Sequence, residues 1–344
     1  MSGVTVLTLV PLGSTTMTVS RVGLGSWGMA GDTYPYGWGP QDRDEALATV
    51  AAAVELGVNW IDTAPVYGRG RAERLVGQVV AKIPAADRPY VFTKAGLSWE
   101  TRSPADPAPQ RVGDPQRLRR EVEASLRRLQ VERIDLYQMH WPPEDGTPLE
   151  EYWGVLLALR AEGKIRAAGL SNHDVRQLEA AEALGHVDTL QPPFSAIRRD
   201  AAPAIAWCHE HDTGVLVYSP LASGLLAKAP ATDSSSPRLP AGDWRAGDPQ
   251  FRGDAFRRNL AVAEAVGEIA SARGVPRAAV AVAWTLAWPG VTGAIVGARR
   301  SEHVDDWGTA ATMQLSRAEL DHVTLAIERA GAGSGPVRPG STTR

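Results

Sequence analysis

The segment GVNWIDTAPVYG, residues 57–68, carries the pattern on which the fold prediction rests. A short apolar run ending at Ile61 is followed at once by Asp62, and Tyr67 lies a few residues further on, beyond Pro65. Short apolar runs bounded by turn formers are typical of buried strands. The segment therefore predicts a strand of a parallel sheet that ends at a polar residue and leads into a functional loop.

The same pattern recurs along the chain, with helix-like apolar spacing between the runs. The candidate strands are Arg21–Leu24, Val58–Ile61, Tyr90–Thr93, Ile134–Met139, Ile165–Leu170, Thr189–Leu190, Val215–Tyr218 and Ala294–Val296. The clearest candidate helices are Arg43–Leu56, Pro115–Leu129, Leu149–Glu162 and Asp174–Leu184. Their predicted N-caps are Asp114 and either Asn172 or Asp174, and the predicted left-handed residues after helices are Gly57, Gly163, Gly185 and Gly214.

Eight alternations of strand and helix without a linker favour one α/β domain over residues 1–330, a (β/α)8 TIM barrel. A doubly wound sheet is the alternative. Residues 4–9 and 17–19 predict an N-terminal β-hairpin at the bottom of the barrel.

The connections Ala95–Asp114 and Ser219–Phe256 are long and rich in turn formers, which predicts functional loops at the C-terminal face of the barrel. The Gly-, Pro- and Ser-rich residues 331–344 predict a flexible tail.

Composition excludes several classes of protein. A chain of 344 residues with 44% hydrophobic and 22% charged residues buries a sizeable core, which excludes intrinsic disorder. A net charge of -3 without a basic stripe indicates no nucleic-acid partner. The single cysteine, Cys208, excludes an internal disulfide, and the chain shows neither a signal-peptide pattern nor an apolar run that would span a bilayer. We therefore expect a cytoplasmic protein with no membrane partner.

Gly23, Gly25 and Gly28 match the dinucleotide-binding pattern G-x-G-x-x-G. That pattern requires a helix directly after the glycines, whereas residues 32–40 are hostile to helix formation. The alternative is that Gly23 and Gly25 allow the first strand to pack closely against its neighbours.

Polar residues end three successive apolar runs: Asp62, Lys94 and His140. In a barrel these side chains would point towards one another, with Tyr67 above them. Such a set suits proton delivery, because a cation beside a phenol lowers the phenol pKa from its usual ~10. Asp62 would hold Lys94 charged, and His140 would orient a substrate oxygen.

Taken singly, each of these residues has an ordinary structural role as a cap, a solvated chain or a satisfied core group. Ligation of a metal by Asp62 and His140 would compete with the Lys94 cation. We therefore expect no metal.

Several segments of the chain resemble the motifs of a known family. Residues 57–68 and Glu73–Gly77 are similar to the signature of the aldo-keto reductases, and so are Ile134–Pro142, Gly163–Asn172 and Tyr218–Leu226. The resemblance extends in order from about Val19 to Arg329, and is greatest to a bacterial, NADPH-dependent branch that includes relatives of the potassium-channel β-subunits.

The resemblance implies an oxidoreductase that uses NADPH to reduce aldehydes or ketones to alcohols, with Asp62, Tyr67, Lys94 and His140 as the catalytic tetrad and Tyr67 as the proton donor. It implies that Ser171, Asn172 and Gln191 hold the nicotinamide carboxamide. The implied cofactor contacts are Gly25, Trp27, Asp62, Ser171, Asn172, Gln191, Phe194, Tyr218, Ser219, Pro220, Leu221, Gly224, Leu225, Val296, Gly297, Arg299 and His303.

The chain departs from the family pattern at several of these positions. Phe194 stands where we expect a tyrosine to stack under the nicotinamide, so the stacking would lack a hydroxyl. His303 and Trp307 lie where the family reads adenine, whereas Arg299 and Arg300 would bind a 2′-phosphate and so favour NADPH over NADH.

The predicted substrate pocket is aromatic, with Trp27, Tyr67, Trp99, His140 and Trp141 as its lining, and it suits a small-molecule carbonyl substrate. Further aromatic residues of the first loop would extend this wall: Tyr34, Tyr36 and Trp38. Two other functions remain open: a cofactor-binding interaction or redox-sensing subunit with little turnover, and a metal-dependent barrel hydrolase or lyase. The oligomeric state is also open.

Overall fold

A computed structural model describes residues 7–31, 37–99, 108–227, 239 and 243–339 of the chain. The strands in these ranges are β1 (Leu9–Pro11), β2 (Thr18–Ser20), β3 (Val22–Gly25), β4 (Trp60–Asp62), β5 (Tyr90–Ala95), β6 (Leu97–Ser98), β7 (Gln110–Arg111), β8 (Ile134–Met139), β9 (Ile165–Ser171), β10 (Thr189–Gln191), β11 (Gly214–Tyr218) and β12 (Gly293–Gly297).

The helices in the described ranges are α1 (Arg43–Glu55), α2 (Arg71–Val80), α3 (Pro115–Leu129), α4 (Leu149–Ala161), α5 (Val175–Glu182), α6 (Ala202–Glu210), α7 (Gly253–Arg273), α8 (Arg277–Leu286), α9 (Glu302–Gly308) and α10 (Arg317–Ala330). None of them is long and apolar enough to cross a membrane.

A closed barrel of parallel strands forms the centre of the fold, in the order β3-β4-β5-β8-β9-β10-β11-β12. All the candidate strands from the sequence are strands of this barrel, so the (β/α)8 prediction is confirmed and the doubly wound alternative is wrong. A second small sheet pairs β6 with β7 in the connection after β5.

The N-terminal hairpin closes the bottom of the barrel. β1 pairs antiparallel with β2, and the buried side chains of Leu12 and Met17 belong to the same core cluster as Trp60 and Phe92. The indole N–H of Trp60 donates to the Ser20 carbonyl at 2.8 Å, which fixes the hairpin to the barrel floor. Residues 4–6 of the predicted hairpin lie outside the described residues.

The glycine pattern at residues 23–28 serves packing. A Cβ on Gly23 would lie 2.3 Å from the Trp60 ring, and one on Gly25 would lie 2.7 Å from Ile295. A single 3-10 turn, Ser26–Met29, follows β3, so no α-helix begins there. The close-packing interpretation of these glycines is confirmed.

Helix ends follow the sequence signals in part. Asp114 caps α3, and Asp174 forms a capping box on α5. Gly57 and Gly163 have φ of 97° and 77°, which are left-handed. The same prediction is wrong for Gly185, which has no positive φ, and for Gly214, which is the first residue of β11.

The segment after α10 contacts the barrel. Its carbonyls at Ala332, Gly335 and Pro336 accept hydrogen bonds from the buried Arg199 guanidinium. Residues 340–344 of the predicted tail lie outside the described part of the chain.

Candidate active site

Strand alternation places the tetrad at the mouth of the barrel. Because successive side chains of a strand point to opposite faces, residues two apart share a face. Trp60, Phe92 and Leu136 belong to the cluster inside the barrel, so the residues two positions further on also face inward. These residues are Asp62, Lys94 and Gln138, and His140 continues the same face beyond β8.

A buried ion pair joins β4 to β5. Lys94 Nζ donates to Asp62 Oδ1 at 2.5 Å and to the Thr63 carbonyl at 3.0 Å. The Lys94 side chain is 0% exposed and that of Asp62 is 4% exposed. The second carboxylate oxygen, Asp62 Oδ2, accepts from the Gln191 amide at 2.9 Å. Both carboxylate oxygens of Asp62 and the ammonium of Lys94 therefore have polar partners.

Tyr67 lies beside this pair on the turn between β4 and α2. Lys94 Nζ is 5.4 Å from the centroid of the Tyr67 ring. The imidazole of His140 approaches the same ring edge-on, with the centroids 6.0 Å apart and the planes at 82°. The structure thus brings together all four residues that the sequence analysis grouped.

Burial determines the protonation tendencies of the site. Desolvation raises the pKa of Asp62 and lowers that of Lys94, and the opposite charge of each partner works against these shifts. Burial also lowers the pKa of His140 well below its usual value, and the charges of Lys94 and Arg111 add to this effect. His140 is therefore a neutral imidazole at physiological pH.

Amide and hydroxyl side chains form a connected patch next to His140. Asn172, which has a left-handed φ of 62°, donates to the His140 carbonyl at 2.9 Å and to Ser171 Oγ at 3.0 Å. Ser171 Oγ donates to the Gln191 carbonyl, and the Tyr218 hydroxyl donates to Asn172 Oδ1 at 2.8 Å. This set of donors and acceptors suits a carboxamide group.

The structure corrects the expectation for Phe194. Its ring is 0% exposed and packs on Trp284 and Trp288, with centroids 6.3 Å and 5.0 Å away, between the barrel and α8. The ring therefore presents no face to the barrel mouth. Val296 is likewise turned away from the interior of the barrel and is fully buried, so only its backbone is available there.

The segment after β11 adopts a series of strained turns. Ser219, Ala222 and Ser223 have positive φ values of 58°, 47° and 55°, which are uncommon and costly for residues other than glycine. Pro220, Leu221, Gly224 and Leu225 complete this segment, and Leu225 is buried.

Arg245 lies against this segment and escaped the sequence analysis. Its guanidinium donates to the Ser223 carbonyl at 3.1 Å and to Asp243, and its Cζ lies 4.6 Å from the Trp38 ring centroid. The sequence signal that could have indicated Arg245 is its position next to Trp244 in a loop rich in turn formers.

The predicted adenosine end is formed by the loop after β12. The Arg299 guanidinium donates to Gln41 Oε1 at 2.9 Å and to the carbonyls of Trp38 and Pro40. Arg300 is exposed and lies 3.3 Å from Glu45 and 3.4 Å from Glu302. On α9, His303 is half-buried, whereas Trp307 is 1% exposed and belongs to the core.

Three tryptophans pack together above the barrel, with ring centroids 5.8–5.9 Å apart: Trp27, Trp38 and Trp244. Trp244 is a second residue that the sequence analysis missed. The Trp99 indole donates to the Val66 carbonyl at 3.2 Å, and Arg111 Cζ lies 4.4 Å from the Trp141 ring centroid. Tyr34 and Tyr36 lie outside the described residues.

Within the described ranges, no group of three or more His, Cys, Asp or Glu side chains is arranged to hold a metal ion.

The fold and site define a (β/α)8 barrel with a Tyr–Lys–Asp–His cluster at its mouth. The sequence model of the aldo/keto reductase family matches residues 21–328. The chain belongs to this family, whose members reduce carbonyl compounds with nicotinamide cofactors.

Individual relatives align over nearly the whole chain. Aldo-keto reductase YhdN of Bacillus subtilis is 31% identical, with 95% of each chain aligned. The NADH-specific methylglyoxal reductase of Escherichia coli is 33% identical, with 93% of this chain and 99% of that protein aligned. The solved structure of glycerol dehydrogenase AKR11B4 from Gluconobacter oxydans superposes with a TM-score of 0.84 at 34% identity, covering 97% of this chain and 99% of that one.

The buried ion pair makes a prediction about stability. Lys94→Met leaves the Asp62 carboxylate buried without its cation, and removing one partner of a buried pair costs about 3–5 kcal/mol. The pKa of Asp62, already raised by burial, rises further without Lys94. The destabilisation grows as pH rises from the unfolded carboxyl pKa of about 3.9, because the folded state then retains a proton that the unfolded state releases. Thermal unfolding at pH 5 and pH 8 measures this difference.

The control is the double variant Lys94→Met with Asp62→Asn, which has no carboxyl to titrate at this position. Its loss of stability should be the same at both pH values. If the single variant shows no larger loss at pH 8 than the double variant, the account of the ion pair is wrong.

Proposed function

We propose that this protein reduces small aldehydes or ketones to alcohols with NADPH. The observation that supports this function is the convergence of Tyr67, the Lys94–Asp62 ion pair and neutral His140 on one point at the barrel mouth. Reduced nicotinamide, when bound, supplies the hydride that the carbonyl carbon accepts.

The residues of the chain supply the proton and orient the substrate. Tyr67 donates its phenolic proton to the carbonyl oxygen, and the nearby Lys94 ammonium stabilises the phenolate that remains. Asp62 fixes the position of that ammonium. Because His140 is neutral, it donates a hydrogen bond to the same oxygen without competing as an acid. These are preorganised donors aimed at the oxygen on which charge develops.

The chemistry of the lining fits a nicotinamide dinucleotide. Ser171, Asn172 and Gln191 offer the donors and acceptors that a carboxamide needs. The strained turns at 219–225 and Arg245 are suited to the diphosphate. Gly25 and Trp27 lie at the end of β3, next to Gly297 of β12, and complete the lining proposed for the dinucleotide.

Tyr218 takes the stacking role that the sequence analysis gave to Phe194. It lies two residues after Leu216, which faces the barrel interior, and it is half-buried at the mouth. Burial raises the pKa of Tyr218 to about 12, so its hydroxyl stays protonated and holds Asn172 in place.

We assign the cofactor as NADPH because of the two adjacent cations in the loop after β12. Arg299 uses three of its nitrogens on the first loop yet retains further N–H groups, and Arg300 is paired only through exposed contacts, which contribute little. The NADH-specific relative makes the comparison of both cofactors necessary.

The tryptophans at the mouth suit an apolar or aromatic carbonyl substrate. The reducing cytosol is the compartment we propose, since the single cysteine, Cys208, is free and can form no internal disulfide, and burial raises the pKa of its thiol.

Tyr67→Phe tests the proposed function. Removing the phenolic oxygen should lower turnover by about 10²–10⁴-fold, because the proton donor is lost, while cofactor affinity changes little. The measurement is NADPH oxidation with methylglyoxal, an aliphatic ketone and an aromatic aldehyde, together with fluorescence titration of cofactor. If the native protein binds cofactor but turns over none of these carbonyls, the interaction-subunit alternative replaces this proposal.

Tyr218→Ala and Phe194→Leu form a matched pair that tests the stacking role. Tyr218→Ala should weaken cofactor binding about tenfold, since an aromatic contact and the hydrogen bond to Asn172 are both lost. Phe194→Leu should lower the unfolding temperature and leave cofactor affinity unchanged. Titration with cofactor and thermal unfolding of both variants decide this, and the reverse ranking of affinities would return the role to Phe194.

Arg299→Ala tests the assignment of NADPH. It should weaken NADPH binding by about tenfold or more and NADH binding much less, because only NADPH carries the 2′-phosphate. Arg317→Ala is the charge control, because the Arg317 side chain at the start of α10 is 81% exposed and pairs only with Asp321 in the described residues. Equal weakening of both cofactors would show that Arg299 only holds the first loop.

A further inference from the structure

A groove rich in arginine lies behind the loop that carries Tyr67. It has a volume of about 340 Å³ and runs along α3 between the turn at 65–69 and β6. Its lining includes Arg69, Arg117, Arg120 and Arg128, with Glu121 and Trp99. We refer to this lining as the arginine groove. It lies apart from the loops after β11 and β12, where the dinucleotide is proposed to bind.

Two of the lining arginines have carboxylate partners. Arg128 donates to the buried carboxylate of Glu73, which also accepts from Thr93 Oγ1 at 2.8 Å. Arg117 donates to Glu121 at 3.0 Å and to Ser98. These pairs hold the wall of the groove rigid.

The other two lining arginines carry positive charge that no carboxylate of the described residues balances. Arg69 is exposed, has a left-handed φ of 52°, and lies with its Cζ 5.2 Å from the Trp99 ring centroid. Arg120 is exposed on α3, and no ion pair involving it occurs in the described part of the chain. Two guanidinium groups of like charge therefore border one concave surface.

We propose that the arginine groove binds a phosphate group, either as free inorganic phosphate or on a small phosphomonoester. Guanidinium groups bind phosphate in bidentate geometry, and a phosphate near its dianionic state balances the two unpaired charges. The volume is at the lower end of the range for small-ligand sites, about 300–1,000 Å³. This proposal does not depend on the proposed reductase activity.

The test is isothermal titration calorimetry with inorganic phosphate at constant ionic strength, carried out with and without saturating NADPH, because the turns at 219–225 and Arg299 are also proposed to hold phosphate groups. We expect saturable binding with a dissociation constant of about 1 mM or tighter. Arg69→Gln and Arg120→Gln should each weaken binding about tenfold, because each removes one charge-assisted contact. Arg119→Gln is the matched control, since Arg119 lies on the same helix but pairs with Glu162 outside the groove.

Two further ligands are titrated in the same way. Glycerol phosphate distinguishes an organic phosphate from the free ion, and malonate tests whether the groove prefers a dicarboxylate to phosphate. Tighter binding of glycerol phosphate than of inorganic phosphate identifies an organic phosphate as the ligand, and weaker or equal binding identifies the free ion. The proposal is overturned by the absence of saturation up to about 20 mM phosphate, by equal weakening in Arg119→Gln, or by malonate binding more tightly than both phosphates.

Discussion

The arrangement of the barrel mouth depends on the buried ion pair between Lys94 and Asp62. Two charges removed from water are tolerated only when their remaining polar atoms are also satisfied. The Thr63 carbonyl and the Gln191 amide meet that need. Gln191 comes from β10, on the far side of the barrel, so the ion pair holds three strands in fixed relation. The hydrogen bonds among Ser171, Asn172 and Tyr218 extend this constraint to β9 and β11.

The same ion pair sets the electrostatic character of the site. The Lys94 cation helps to keep His140 neutral, so the cluster contains one cation, one anion and two neutral hydrogen-bond donors. A second cation at His140 would leave an uncompensated charge in a buried setting. The cluster therefore combines one compensated charge pair with two neutral hydrogen-bond donors.

The barrel strands and the tetrad could be predicted because both signals are local: strand runs and the polar residues that end them. The inward direction of Tyr218 could also be predicted, because Tyr218 lies two residues after inward-facing Leu216. Phe194 lies three residues after Gln191, and the same alternation turns it outward. The packing of Phe194 on Trp284 and Trp288 could not be predicted, because α8 is remote in sequence. Arg245 was missed for a related reason, since the path of a long loop is fixed by contacts and not by periodicity.

Trp38 links parts of the site that the sequence analysis treated as separate. Arg299 binds the carbonyls of Trp38 and Pro40, and Trp38 packs on both Trp27 and Trp244. Arg245 stacks on Trp38 and also binds the Ser223 carbonyl. The loop after β12, the three tryptophans and the segment after β11 are therefore one connected structure. Because they share Trp38, loss of the Arg299 contacts would also disturb the packing of the three tryptophans, so the proposed cofactor and substrate regions are physically coupled.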